Sequence, residues 1–176
     1  MVYHRGMASR GLDAFLGESG GIAAVLRSMR VHLKNSNVQA MGCWSLVNLA
    51  LNHQQKLALL ALDGLDAVLA AMAHHPTTLE VQFRALFALI NLVIPEAGSV
   101  STNTMDCGEN AAHARVVRGV LAAMRHFPES EKLVRCGCLV LHNLSLDDKN
   151  VPHLLAFGVA RPLQRAARSH KDADVQ

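Results

Sequence analysis

The chain has 176 residues, 51% hydrophobic and 18% charged, which is enough apolar material for one unit with a sizeable core and too much for a disordered tail. Aromatic residues make up 4% and prolines number 5, while Ala, Leu, Val and Met dominate the apolar set, which favours helices over a β-sandwich or barrel. The net charge of +3 is spread over scattered Lys, Arg, Asp and Glu, so nothing motivates a nucleic-acid surface, and no apolar run reaches the roughly 18 residues of a membrane span.

Residues 1–19 begin with MVYHRGMASRG, which has no apolar stretch of the kind a secretory signal carries, and the segment reads as a partial repeat ahead of the first full one. The four cysteines, Cys43, Cys107, Cys136 and Cys138, include no CxxC pair and read as reduced thiols. An intracellular site is expected, in the cytoplasm with the nucleus also open.

After the turn at Gly20-Gly21 comes Gly21-Ile-Ala-Ala-Val-Leu-Arg-Ser-Met29, and the same frame returns as 64–72, 116–124 and 158–166, with starts 43, 52 and 42 residues apart. A period in this range indicates stacked units. Each of the first three frames is followed by a long helical stretch, opening at Val38-Gln39, Val81-Gln82 and Leu133-Val134. These stretches carry GCWSLVNLA (42–50), ALFALINLV (85–93) and GCLVLHNLS (137–145), and place Asn48, Asn91 and Asn143 each 27 residues after its start. An apolar stripe runs along each at helical spacing: Val38, Gly42, Leu46, Leu49; Val81, Ala85, Leu89, Leu92; Leu133, Gly137, Leu141, Leu144. The small second member lets a crossing helix approach closely. Shorter helices are expected at 55–62 and 151–157, giving three helices in about 42 residues, a period read from the frame itself. Full repeats then span 20–63, 64–115 and 116–157, with a partial repeat at 158–176 and an inserted loop at 95–110.

This pattern resembles the armadillo repeat, in which a short helix, a Gly-rich turn, a second helix of the form GGIxxLV and a long third helix with an Ala-Leu-Trp-Ala-Leu-Ser-Asn-Leu-type run recur. Gly20-Gly21-Ile22 with Ala24, Val25 and Leu26, and the spacing from Trp44 to Asn48, carry the resemblance. It implies an all-α right-handed superhelix, an α-solenoid. A HEAT-like array is the alternative, although two-helix units leave the short helix and the Asn row unexplained.

A side-chain amide offers donors and an acceptor at once, so a row of them can hold the backbone of an extended peptide without reading its side chains. By resemblance, Asn48, Asn91 and Asn143 hold that backbone and Trp44 makes a pocket wall. Phe87 and Leu139 stand at the Trp position in the next two frames. Arg84 and Arg135, close before that position, would repel a basic guest and suit an acidic one; Asp147, four residues after Asn143, is the one acid where importin-like proteins receive basic cargo. The expected function is a protein-binding scaffold or adaptor gripping an extended or acidic segment. The alternatives are a module that self-associates through its open repeat ends, and a nuclear-import adaptor. The amides could instead bridge neighbouring loops without any guest.

No phosphate loop, nucleophile elbow, HExxH or paired carboxylates in a Gly-rich setting appear, so neither catalysis nor a cofactor is expected. His74-His75 read as a helix end rather than metal ligands, since adjacent helical residues point about 100° apart. His142 is expected to pack between repeats, Cys43 and Cys138 in the core, and Cys136 on the groove side. Ser99, Ser101, Thr102 and Thr104 read as part of a flexible loop.

Overall fold

The protein is described by a computed structural model covering residues 20–94 and 106–169, with side chains except at 106–110 and 169. The expectations for 1–19, for 95–105 with its serines and threonines, for Val175-Gln176, and for the Cys107 side chain lie outside the described residues. Within them the chain is helical without a strand: α1 (Gly21–Val31), α2 (Ser36–Leu49), α3 (His53–Ala61), α4 (Gly64–His74), α5 (Leu79–Leu92), α6 (Asp106–His126), α7 (Glu131–Ser145), a 3-10 turn (Asp148–Asn150), α8 (Val151–Ala156) and α9 (Ala160–Ser169). No single described helix is long and apolar enough to cross a membrane.

Local chemistry sets the helix starts. The Asn35 side chain accepts from the amides of Asn37 and Val38 and opens α2, and the Asn52 side chain accepts from Gln55 and opens α3. Where α1, α4 and α9 follow a sharp turn, a left-handed residue supplies it: Gly20 at φ 75°, Asp63 at 60° and Gly158 at 71°. A Cβ at Gly64 would lie 2.7 Å from the Leu59 carbonyl oxygen, so the tight join of α3 to α4 needs that glycine.

The third frame departs from the expected three-helix unit. Its start, Val116, falls inside the 21-residue helix α6, which already includes residues 106–110 of the expected loop. No residue from 106 to 115 is left-handed, and Ala111-Ala-His-Ala-Arg115 consists mostly of strong helix formers, so the helix runs through.

Packing repeats even where the connections differ. The long helices α2, α5 and α7 lie side by side, and α1, α4, α6 and α9 form a second row, each of the first three crossing the long helix that follows it. The stripes foreseen along the long helices are buried, Val38 alone being half-buried. At the crossings the small residue is required: a Cβ on Gly42 would fall 2.4 Å from Met29 Cγ, and one on Gly137 2.8 Å from Met124 Sδ. One continuous apolar core runs from Ile22 to Ala166.

Gln39 and Gln82 are buried polar residues with matched tasks. Gln39 Nε2 donates to the carbonyls of Met29 (2.8 Å) and His32 (3.0 Å), and Gln82 Nε2 to those of Met72 (2.8 Å) and His75 (2.9 Å). Each closes the C-terminal end of the preceding helix, whose last carbonyls have no partner inside the helix. His142, expected between repeats, is exposed instead. Val47 and Ile90 hold the same position on helices that have a following neighbour in the row, whereas no described long helix follows α7.

Replacing Gln82 with Leu should lower the unfolding free energy by about 1–3 kcal/mol in urea melts, because the buried Met72 carbonyl loses its donor and the His75 carbonyl keeps only the Thr78 amide. An unchanged midpoint would show that the clamp is not stabilising.

Candidate functional site

Because α2, α5 and α7 run side by side in one register, residues at equal frame positions form rows across the molecule. One row is apolar and outward: Trp44, Phe87 and Leu139 are 37%, 37% and 39% exposed, a near-constant value at one frame position, while Met41 and Leu79 on the same helices are more exposed still. One turn further on lie Asn48, exposed, and Asn91 and Asn143, both half-buried.

The aromatic part of the row is a stack. Trp44 and Phe87 have ring centroids 6.0 Å apart and planes 13° from parallel, and Phe83 continues the stack from Phe87 at 6.1 Å and 8°. The Arg84 guanidinium carbon sits 5.6 Å from the Trp44 ring centroid. Trp44, Arg84 and Phe87 are thus brought together, and Phe83 joins them.

Arg84 is heavily engaged. It pairs with Glu80 one turn earlier on α5, and its Nη1 donates to the Ala40 carbonyl at 3.4 Å and to Met41 Sδ at 3.0 Å. The Glu80 partner was legible as an i,i+4 pair of opposite charges. Arg135, at the position next to Cys136 on α7, is half-buried. Asp147 starts the 3-10 turn, its Oδ1 accepting from the Lys149 amide at 3.0 Å, just as Asn52 opens α3. This capping task could have been read from an Asx residue directly ahead of a helix.

The amides do two kinds of work. Asn91 Nδ2 donates to the Val47 carbonyl at 3.3 Å and Asn143 Nδ2 to the Ile90 carbonyl at 3.0 Å, so each ties its helix to the previous one in the row. Asn48 Nδ2 turns back to Trp44 of its own helix at 3.2 Å. At the other end the His142 carbonyl, equivalent to those of Val47 and Ile90, accepts from Ser145 Oγ at 2.7 Å. Each bond uses one of the two amide hydrogens, so the second hydrogen and Oδ1 of every Asn are left for another partner.

Three thiols lie close to this layer. Burial raises the Cys43 thiol to about 12, against a smaller lowering from the Arg84 charge, and raises Cys136 to about 11 against Arg135; burial moves Cys138 up as well. Cys136 is buried rather than on the outward side, where Met41 stands in the first frame. Among the described residues no group of three His, Cys, Asp or Glu side chains could hold a metal ion.

A thiol whose folded pKa exceeds its unfolded value stabilises the fold fully below the unfolded pKa, and that contribution is lost as pH rises toward the folded one. Stability should therefore fall between about pH 9 and 11 to 12, and Cys43→Ala with Cys136→Ala should flatten this alkaline decline in pH-dependent urea melts. An unaltered slope would contradict buried, protonated thiols. No protein-family model matches the chain, and no solved structure matches it.

Proposed function

We propose that the protein is an array of armadillo-type repeats, wound as a right-handed superhelix, that acts as a binding scaffold for an extended segment of another protein. The long helices would line its concave side. The observation that carries this reading is the outward row of Trp44, Phe87 and Leu139, equally exposed on three helices and each followed one turn later by an amide. Apolar side chains of an extended guest would lie along the row, and its backbone N–H and C=O groups would meet the Oδ1 and remaining N–H of Asn48, Asn91 and Asn143.

Arg84 belongs to the wall of this surface rather than to its charge selection, since Glu80 pairs with it and Trp44 lies against it. The Asp147 oxygen is engaged by a backbone amide, which gives the basic-cargo reading no particular support. Recognition would accordingly rest on backbone and apolar contacts, at a site in the cytoplasm or nucleus.

Selection from a displayed library of random extended peptides should enrich sequences that bind the wild-type protein. Trp44→Ala should weaken the enriched peptides about tenfold or more, as expected for an aromatic anchor, with Asn48→Ala weakening them less and helical content unchanged in both. Asn91 and Asn143 are unsuitable as first variants because they also hold helices together. Peptides that bind both variants as tightly as the wild type would overturn the reading.

A further inference from the structure

The clamp formed by Gln39 and Gln82 is missing from the third frame. The equivalent residue on α7 is Val134, and the carbonyls it would have served belong to Met124 and Phe127 at the end of α6. Phe127 still receives the Ser130 amide at 3.1 Å. The Met124 carbonyl would be reached along the helix by residue 128, which is a proline without an N–H, and no described residue donates to it.

A hollow of about 530 Å³ opens at this place, between α6 and α9. Met124, Val134 and Ala166 give it an apolar floor, and Arg125, Arg161 and Arg165 stand around it. All three arginines are exposed, and none makes an ion pair or hydrogen bond with a described residue. Glu129 is the one acid among the lining residues, so the hollow keeps a net positive charge and its cations repel one another.

We propose that this hollow is a second docking site, on the row opposite the Asn-bearing helices, for an acidic segment of a partner protein. The segment's carboxylates pair with Arg125, Arg161 and Arg165, the guanidinium fork matching a carboxylate in a bidentate way. One of its N–H groups, from the backbone or a carboxamide, takes the Met124 carbonyl and so occupies the place that glutamine side chains fill in the other two frames. An apolar neighbour covers the floor. A nucleic-acid strand also fits the cationic rim, but it has no aliphatic side chain to set on the floor of Met124, Val134 and Ala166.

The test uses the full chain and fluorescence anisotropy with a fluorescein-labelled peptide of alternating Glu and Leu, its Lys-for-Glu counterpart, and an oligothymidylate of equal charge. The Glu peptide should bind and the other two should bind more weakly. Arg161→Glu with Arg165→Glu should weaken the Glu peptide about tenfold or more. Val134→Gln, which restores the clamp, should also weaken it while the melting temperature holds or rises. Trp44→Ala should change nothing, which separates this site from the surface of the long helices. Binding indifferent to the Arg and Val134 changes would overturn the proposal, as would stronger binding of oligothymidylate. So would a peptide that binds only after Asp172→Asn and Asp174→Asn, since the chain's own acids would then be the occupant.

Discussion

The spacing between each helix of the second row and the long helix that crosses it governs the rest of the molecule. Methionine side chains from α1 and α6 lie where a β-carbon on Gly42 or Gly137 would have to be, and Ala85 holds the equivalent place on α5. A larger residue there would push the crossing helices apart and rotate the long helices within their row, since interiors packed at crystal-like density absorb added volume by displacement. The buried stripe on one side of α2, α5 and α7, and the outward Trp44, Phe87 and Leu139 on the other, both depend on this close approach.

The amide row illustrates how one side chain can serve two ends. Asn91 and Asn143 fasten neighbouring helices by donating a single hydrogen to a carbonyl of the previous helix, which leaves the second hydrogen and Oδ1 of each amide unused by that bond. The bridging reading and the guest-binding reading are therefore compatible. An amide held by one partner is better ordered for a second, because less side-chain freedom is lost on binding. The ends of the row differ in a way that follows from position: Asn48 turns back on its own helix, Ser145 covers the last carbonyl, and Met41 is open where Arg84 and Cys136 are covered.

The helical class, the frame of the repeat and its buried stripes were legible because apolar residues at spacings of three and four, glycines at turns and asparagines at one offset are properties of the sequence itself. The run-through of α6 was harder to read, since it depends on residues 106–115 holding no left-handed position. Arg84 has the frame position of a guest-facing charge, but its partner Glu80 lies four residues away and the pairing is local. The distance of Asp147 from Asn143 suggests a cargo-facing acid, whereas its position ahead of a helical turn determines what its oxygen does. His142 could not be placed by alignment with Val47 and Ile90, because burial at that position comes from the next helix in the row. The hollow beside Val134 was visible only as a break in the Val-Gln pattern, and its meaning required knowing what the glutamines hold.

The central claim, that the Asn-bearing row is a binding surface for an extended peptide, is tested most directly by titrating a selected peptide into isotopically labelled protein and following side-chain resonances by NMR. The account predicts that the Trp44 indole N–H and the Nδ2 amides of Asn48, Asn91 and Asn143 shift together and saturate with one affinity. Shifts confined to α6 and α9, with these four side chains unmoved, would contradict it.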